Sequence, residues 1–465
     1  MQIRLRPFTL LIMLMAWTMP GVTQQVSRPD SHNAAPPSSV EPSVAKPASD
    51  AQFALWREQI KAALFLPGKM PAPAAREYGS FAAMRGVLAR RITYAGLYGM
   101  RIPAIVYGTD HSLGKLPAVV VVAGHGGDKT TWYEVYAGLL YASAGAVVVT
   151  YDPVGEDERN SLHLSNSRDH DTTLPGSDSP ARLGGAMIGD VISAVNYVAS
   201  RPDVDPNRIA VVGYSMGSFH AAVAAALDPR IHALVLSGGG DLDGNGGSWD
   251  NSSKVMCQGG PYQALSFLPD KGAILYALHQ RSGNTLIQNG AEDKLVVAPH
   301  HTEAFFSDLN ARSTAIAGPG ASPIEYIFYP NVGHRPSWVN RDAANWLNTK
   351  LHFPRWQNLS LDSLGETHIA EWAIATGAVI NRGYETEKSE GGIRALGQGF
   401  PAPTRAQLQV VPEPEWKADV EQYSWQGLAG KILRAQGLPA SVLKPGTTGN
   451  VNSMSSGSTG QTAPQ

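Results

Sequence analysis

The chain has 465 residues, 43% of them hydrophobic, and a formal net charge of −2. That length accommodates one large α/β domain with additions or two smaller domains, and so balanced a charge gives no electrostatic footprint for nucleic acid or an anionic membrane surface. A single cysteine, Cys257, excludes intramolecular disulfides and zinc sites of the multi-cysteine type.

Residues 1–23 have the make-up of an export signal: Arg4 and Arg6 precede an apolar core from Phe8 to Met19, which Pro20 and Gly21 break. The core is too short to span a bilayer comfortably, and no cysteine follows it for lipid attachment. A secreted or periplasmic protein with no stable membrane anchor is expected, an uncleaved N-terminal anchor being the alternative. Residues 24–50, rich in Pro, Ser and Ala, read as a disordered linker, and residues 441–465, rich in Gly, Ser and Thr, as a disordered tail.

Between them, residues 52–64 carry a helical pattern and 91–107 read as paired strands around Gly96 and Gly99. The β-branched runs 116–123 and 146–151 are those of strands buried on both faces, with a helix predicted at 132–144. A helix follows at 187–200, a strand at 208–212, a helix at 218–227, strands at 231–236, 284–288 and 324–329, and a closing helix at 337–351. Strands alternating with helices predict an α/β fold with a doubly wound, mostly parallel sheet, occupying residues 51–353. After Phe353 the rhythm stops. Residues 354–440, with Trp372, Trp416 and Trp425, are expected to form a C-terminal extension packed on that domain.

Gly213-Tyr214-Ser215-Met216-Gly217 lies between the strand at 208–212 and the alanine-rich helix. Strand, tight turn and helix put a serine hydroxyl above the end of the sheet, with the Met216 amide aimed where an oxyanion would form. A serine nucleophile needs a base to take its proton and a third group to orient that base. Asp293, in the turn after the strand at 284–288, is the candidate acid, with Glu292 and Asp241 as competitors. His334, in the loop after the strand at 324–329, is the candidate base. The other histidines considered are His300 and His301, in a helical stretch, and His352 and His368, beyond the core. His125-Gly126-Gly127-Asp128 follows the strand at 116–123. The Gly127 amide is expected to join that of Met216 in an oxyanion hole, with Gly126 as the alternate and His125 holding the loop.

Three further groups attract attention. Asp241 to Gly246 is similar to the first half of a calcium loop, but Ser252 stands where the closing glutamate is required. Asp169-His170-Asp171, with His163 nearby, and Glu366, His368 and Glu371 have ligand-type side chains. Loop and surface roles are expected for them, and no metal site is assigned. Cys257 is read as a small buried apolar residue.

The serine turn, the His-Gly-Gly loop, Asp293 and His334, in that order, resemble the α/β-hydrolase superfamily over roughly residues 91–351. Tyr151-Asp152-Pro153-Val154-Gly155-Glu156-Asp157-Glu158-Arg159 is similar to the D-P-x-G-x-G-E-R loop of exported bacterial hydrolases that resemble acetyl xylan esterases and the dienelactone hydrolase and prolyl-oligopeptidase-like branches; Asp157 stands where glycine is usual. The resemblance implies a serine hydrolase acting on a small-molecule or carbohydrate ester, requiring no metal or organic cofactor. A prolyl-oligopeptidase-like peptidase is the alternative, disfavoured because the region before Arg91 is too short for a gating propeller. A non-catalytic binding protein on a hydrolase fold is the third reading.

Overall fold

Every residue of the valine-rich strand β4 (Leu116–Val122) is buried, and the two-residue period of a strand divides them between two apolar layers. Ala118, Val120 and Val122 join one core, Val119 and Val121 the other. The same division holds along the central sheet of this computed structural model, which describes residues 47–109, 114–295, 301–334, 337–380 and 394–442. The expected export signal, most of the expected linker, nearly all of the expected tail and His300 lie outside the described residues.

The sheet has nine strands: β1 (Arg76–Met84), β2 (Val87–Ala95), β3 (Arg101–Thr109), β4, β5 (Val147–Tyr151), β6 (Val204–Tyr214), β7 (Ala233–Ser237), β8 (Asn284–Gly290) and β9 (Ile324–Tyr329). Their order is β1-β2-β3-β5-β4-β6-β7-β8-β9. β1, β2, β3 and β5 pair antiparallel in succession, and every pairing from β5 to β9 is parallel. One face is covered by α1 (Asp50–Ala63), α3 (Ser179–Ser200), α4 (Met216–Leu227), the short α5 (Gly260–Gln263), α6 (Lys271–Gln280) and α7 (Glu303–Ala317). The other carries α2 (Trp132–Ser143) and α8 (Arg341–Leu351), with Trp372 of α9 (Ile369–Thr376), Leu396, Leu408, Val410 and Trp416 in the same core. The extension up to Tyr423 thus thickens one layer, whereas Trp425, Leu428 and Ile432 pack in a separate cluster with Leu183 and Met187 of α3. From β4 the chain crosses to β5 on one side and returns to β6 on the other, so the loops leaving β4 and β6 diverge at a switch point, where α/β sheets open a crevice.

Several elements differ from expectation for local reasons. α3 begins at Ser179, not 187, because Gly184, Gly185 and Gly189 blur its pattern. A Cβ at Gly185 would lie 1.8 Å from the Leu64 carbonyl oxygen, so this face of the helix is bare to let α1's end approach. α3 is also long and apolar enough to cross a membrane, yet 83% of its apolar window is buried within the protein, as in a core helix. β1 was not anticipated, being a largely exposed edge strand, nor was α6, every residue of which is buried, leaving no polar stripe to reveal its period. His301 precedes α7 instead of lying in a helix. Ala48 N–H donates to Ile316 O at 2.9 Å and Ser49 caps α1, so the last residues of the expected linker belong to the fold.

His279 of α6 is buried, and burial, reinforced by His232 and Arg57, lowers its pKa to about 4 despite hydrogen bonds from its ring to backbone carbonyls. A histidine that stays neutral when folded but protonates near pH 6.5 when unfolded withdraws stability as pH falls from about 6.5 to about 4. The stability advantage of the wild type over His279→Gln should therefore shrink by about 3 kcal/mol between pH 7.5 and pH 4, measured by urea unfolding at each pH. A pH-independent difference would show that His279 takes up its proton as readily in the folded protein as in the unfolded chain.

Candidate active site

β6 runs into α4 through Ser215, whose φ of +52° and ψ of −117° no β-strand or helix tolerates. Close packing enforces the turn. A Cβ on Gly217 would stand 2.3 Å from Val122 O and 2.5 Å from Ala123 O, so only glycine lets α4 start against the end of β4. Ser215 N–H donates to Ser237 O (2.9 Å), and Ser218 N–H to Ser215 O (2.9 Å), fixing both sides of the strained residue. The half-buried Ser215 side chain projects beyond the carboxyl end of β6, at the switch point.

The loops after β8 and β9 bring the other two candidates together. Glu292 N–H donates to Val332 O at 2.9 Å and Ala291 N–H to Tyr329 O at 2.9 Å, while a Cβ on Gly290 would meet Gly333 O at 2.0 Å. The two loops therefore touch backbone to backbone. Asp293 is fully buried between them and its Oδ2 accepts from His334 Nδ1 at 2.7 Å; His334 Nε2 lies 3.0 Å from Ser215 Oγ. Leu295 N–H donates to Asp293 Oδ1 at 2.9 Å, Tyr214 OH donates to the His334 carbonyl, and Gly238 leaves room for the imidazole, its Cβ position being 3.2 Å from His334 Cε1. Both ring nitrogens of His334 are thus engaged, one by a carboxylate and one by a hydroxyl.

The competing acids and bases lie elsewhere. Glu292 is exposed, and Asp241 accepts from His301 Nδ1 at 2.5 Å. His352 ends α8 and His368 precedes α9. In the half calcium loop, Asp241 is taken by His301 and Asp243 accepts from Ser248 N–H. Asp250, just beyond it, binds Lys271 and accepts from Gly246 N–H at 2.7 Å.

One expectation for the oxyanion hole needs correction. Met216 N–H opens α4 and has no intrahelical acceptor. Gly127 N–H, however, donates to Gly124 O at 3.1 Å and closes the turn after β4. It is committed within its own loop, which leaves the amide of the alternate, Gly126, at φ +77°, as the remaining glycine donor of the pair.

The loop after β5 holds residues that sequence reasoning treated only as a motif. Lys129 is completely buried, with Nζ 2.6 Å from Asp152, 2.6 Å from Asp157 and 2.7 Å from Glu158. Burial pulls the lysine pKa down, but the three carboxylates more than reverse this and hold it well above the ordinary value. Asp157 has a φ of +39°, the left-handed conformation that explains glycine's usual presence there, and its carboxylate also binds Arg405. Glu158 accepts from the backbone N–H groups of Val410 (2.9 Å) and Val411 (2.6 Å), and Arg159 pairs with Asp190. The charged residues of this motif therefore fasten the extension and α3 to the sheet. Lys129→Met, which leaves three buried carboxylates without their shared cation, should cost about 3–5 kcal/mol in chemical unfolding. A loss below about 1 kcal/mol would mean that water replaces the ammonium.

A mostly parallel sheet with helices on both faces, and a serine on a strained strand-to-helix turn facing a histidine and an aspartate from later strand ends, define the α/β-hydrolase fold. Residues 80–237 match the family described as acetyl xylan esterase (AXE1), and residues 177–358 match the prolyl oligopeptidase family. The chain resembles members of both. It is 30% identical over 149 residues to a thiohydrolase, apmlB, of Arthrinium phaeospermum, an alignment covering 32% of this chain and 42% of that protein. The chain spans less than half the length of the curated relatives it matches. Among solved structures, the methylesterase BT1017 superposes with a TM-score of 0.50 at 16% identity, over 84% of this chain and 77% of that one. An acetyl xylan esterase from Paenibacillus sp. R4 superposes with a TM-score of 0.45 at 20% identity, over 66% and 98%.

Proposed function

We propose that the chain is an exported serine esterase that cleaves a carboxylic ester of a small molecule or carbohydrate through an acyl-enzyme. The observation that carries this reading is the relay Asp293–His334–Ser215, with separations of 2.7 Å and 3.0 Å, on a serine in a left-handed turn. Ser215 Oγ attacks the ester carbonyl carbon as its proton passes to His334 Nε2. Asp293 fixes the tautomer with Nδ1–H and stabilises the imidazolium. The amide of Met216, with that of Gly126, receives the oxyanion. His334 then protonates the leaving alkoxide, and water, deprotonated by the same nitrogen, releases the carboxylic acid. The apolar run at Phe8–Met19 supports export.

The match to the prolyl oligopeptidase family keeps amide cleavage as a second reading. The two separate on a panel offered to the purified protein: 4-nitrophenyl acetate, acetylated xylo-oligosaccharide, a uronate methyl ester and a blocked peptide amide, alongside labelling by a fluorophosphonate. Labelling with turnover of one or more esters and an inert amide is the expected result. Amide cleavage at the higher kcat/KM would transfer the chain to the peptidases, and a serine that never labels would leave a binding protein.

A further inference from the structure

Around the loop that leaves β4, four side chains from three segments converge. His125 follows β4, His170 and Asp171 belong to the turn Asp169–Asp171, and Cys257 lies in the turn Val255–Gly259. His125 Nε2 is 3.2 Å from Cys257 Sγ and 3.4 Å from Asp171 Oδ1. Asp171 Oδ1 is also 3.6 Å from Cys257 Sγ and 3.9 Å from His170 Nε2, and one ligand-type atom from each of the four residues lies within 4.8 Å of all the others. Zinc bonds of about 2.0–2.1 Å to nitrogen or oxygen and about 2.3 Å to sulfur, at tetrahedral angles, require ligand atoms about 3.3–3.8 Å apart. The four groups are within about half an ångström of that arrangement along the edges given.

His170 supplies an independent sign. Its Nδ1–H donates to the Val154 carbonyl at 2.7 Å, which fixes the tautomer and turns the Nε2 lone pair toward the cluster. The residue is fully buried, and its Nε2 has no hydrogen-bond partner among the described residues. Asp171 Oδ2 is held by Lys254 at 2.8 Å and Arg168 at 3.2 Å, which directs Oδ1 to the centre. The other close group of acids, Asp128, Asp152 and Asp157, differs in kind because Lys129 already stands against two of them.

We propose that His125, His170, Asp171 and Cys257 form a tetrahedral site for one zinc(II) ion. The mixture of thiolate, two imidazoles and a carboxylate suits zinc and disfavours magnesium or calcium, which take oxygen ligands. Binding forms the Zn–S bond and releases the Cys257 proton to solvent. Four protein ligands complete the coordination, so the ion is structural and leaves the ester chemistry to Ser215. It clamps the loop that carries Gly126 to the two segments containing residues 170–171 and 257. The site stands whether or not the chain proves to be an esterase.

Cobalt(II) tests this directly, because Cys257 is the only cysteine and any thiolate band belongs to it. The purified full chain, stripped with a chelator and titrated with cobalt(II), should bind one equivalent. It should show a sulfur-to-cobalt charge-transfer band and the intense visible bands of tetrahedral geometry, and zinc(II) should abolish both. Cys257→Ser should lose the charge-transfer band, and His170→Ala should weaken zinc binding at least about tenfold. No stoichiometric binding, or weak octahedral bands without a thiolate band, in the folded wild type would overturn the proposal even if the variants fail to fold. So would a charge-transfer band that survives in Cys257→Ser.

Discussion

Replacing Ser215 with alanine should lower kcat by about 10⁶-fold and abolish fluorophosphonate labelling, while substrate binding and the thermal midpoint stay near wild type. In the proposed reaction the serine hydroxyl forms the acyl bond, and in such a relay removal of the nucleophile costs as much as removal of the whole set. What survives over the uncatalysed reaction, about 10³-fold, belongs to the amides of Met216 and Gly126 and to binding. Ser215→Gly separates the turn's strain from its chemistry. It should be as inactive as alanine yet more stable by about 1–2 kcal/mol, because glycine alone occupies a φ of +52° without penalty. Labelling that persists at another residue in Ser215→Ala would remove this serine from the mechanism.

Asp293→Asn should reduce kcat by about 10⁴-fold near neutral pH, with little loss of folded structure. The geometry gives the reason. Asp293 Oδ1 accepts from Leu295 N–H at 2.9 Å, and the asparagine carbonyl oxygen retains that bond. Its NH2 group must then face His334 Nδ1, which becomes an acceptor, so the ring proton moves to Nε2 and confronts Ser215 Oγ with a donor where a base is required. Glu292→Gln, one position away on an exposed side chain, should leave kcat unchanged. A fall smaller than about tenfold in Asp293→Asn, or a comparable fall in Glu292→Gln, would mean that Asp293 does not orient the base.

The parallel part of the sheet was legible because strands such as β4 and β5 bury both faces and show as unbroken β-branched runs. The convergence of Ser215, Asp293 and His334 was legible because each follows a strand, and strand ends converge on one edge. What escaped depends on distance in sequence. The Gly127 amide is the exception, since its bond to Gly124 O is local, but residue types alone do not reveal which amide closes the turn. His125, His170 and Cys257 carry no common spacing, and only the crossing of three loops makes neighbours of them. Lys129 looks like any surface lysine, since nothing local marks it as buried beneath Asp152, Asp157 and Glu158.

The attachment of the C-terminal residues to Glu158 also sets a clock. The two backbone donors that its carboxylate receives, at Val410 and Val411, lie 252 and 253 positions further along the chain. At ribosomal rates of roughly 5–20 residues per second, that carboxylate waits on the order of ten to fifty seconds for partners that have not yet been made. Over the same interval Tyr136 of α2 lacks Trp372 and Phe400, the rings that cover it in the finished protein. A nascent chain of this protein therefore carries an open apolar surface and an unfinished ionic cluster until its last hundred residues emerge, and its folding is timed by the arrival of its C-terminal segment.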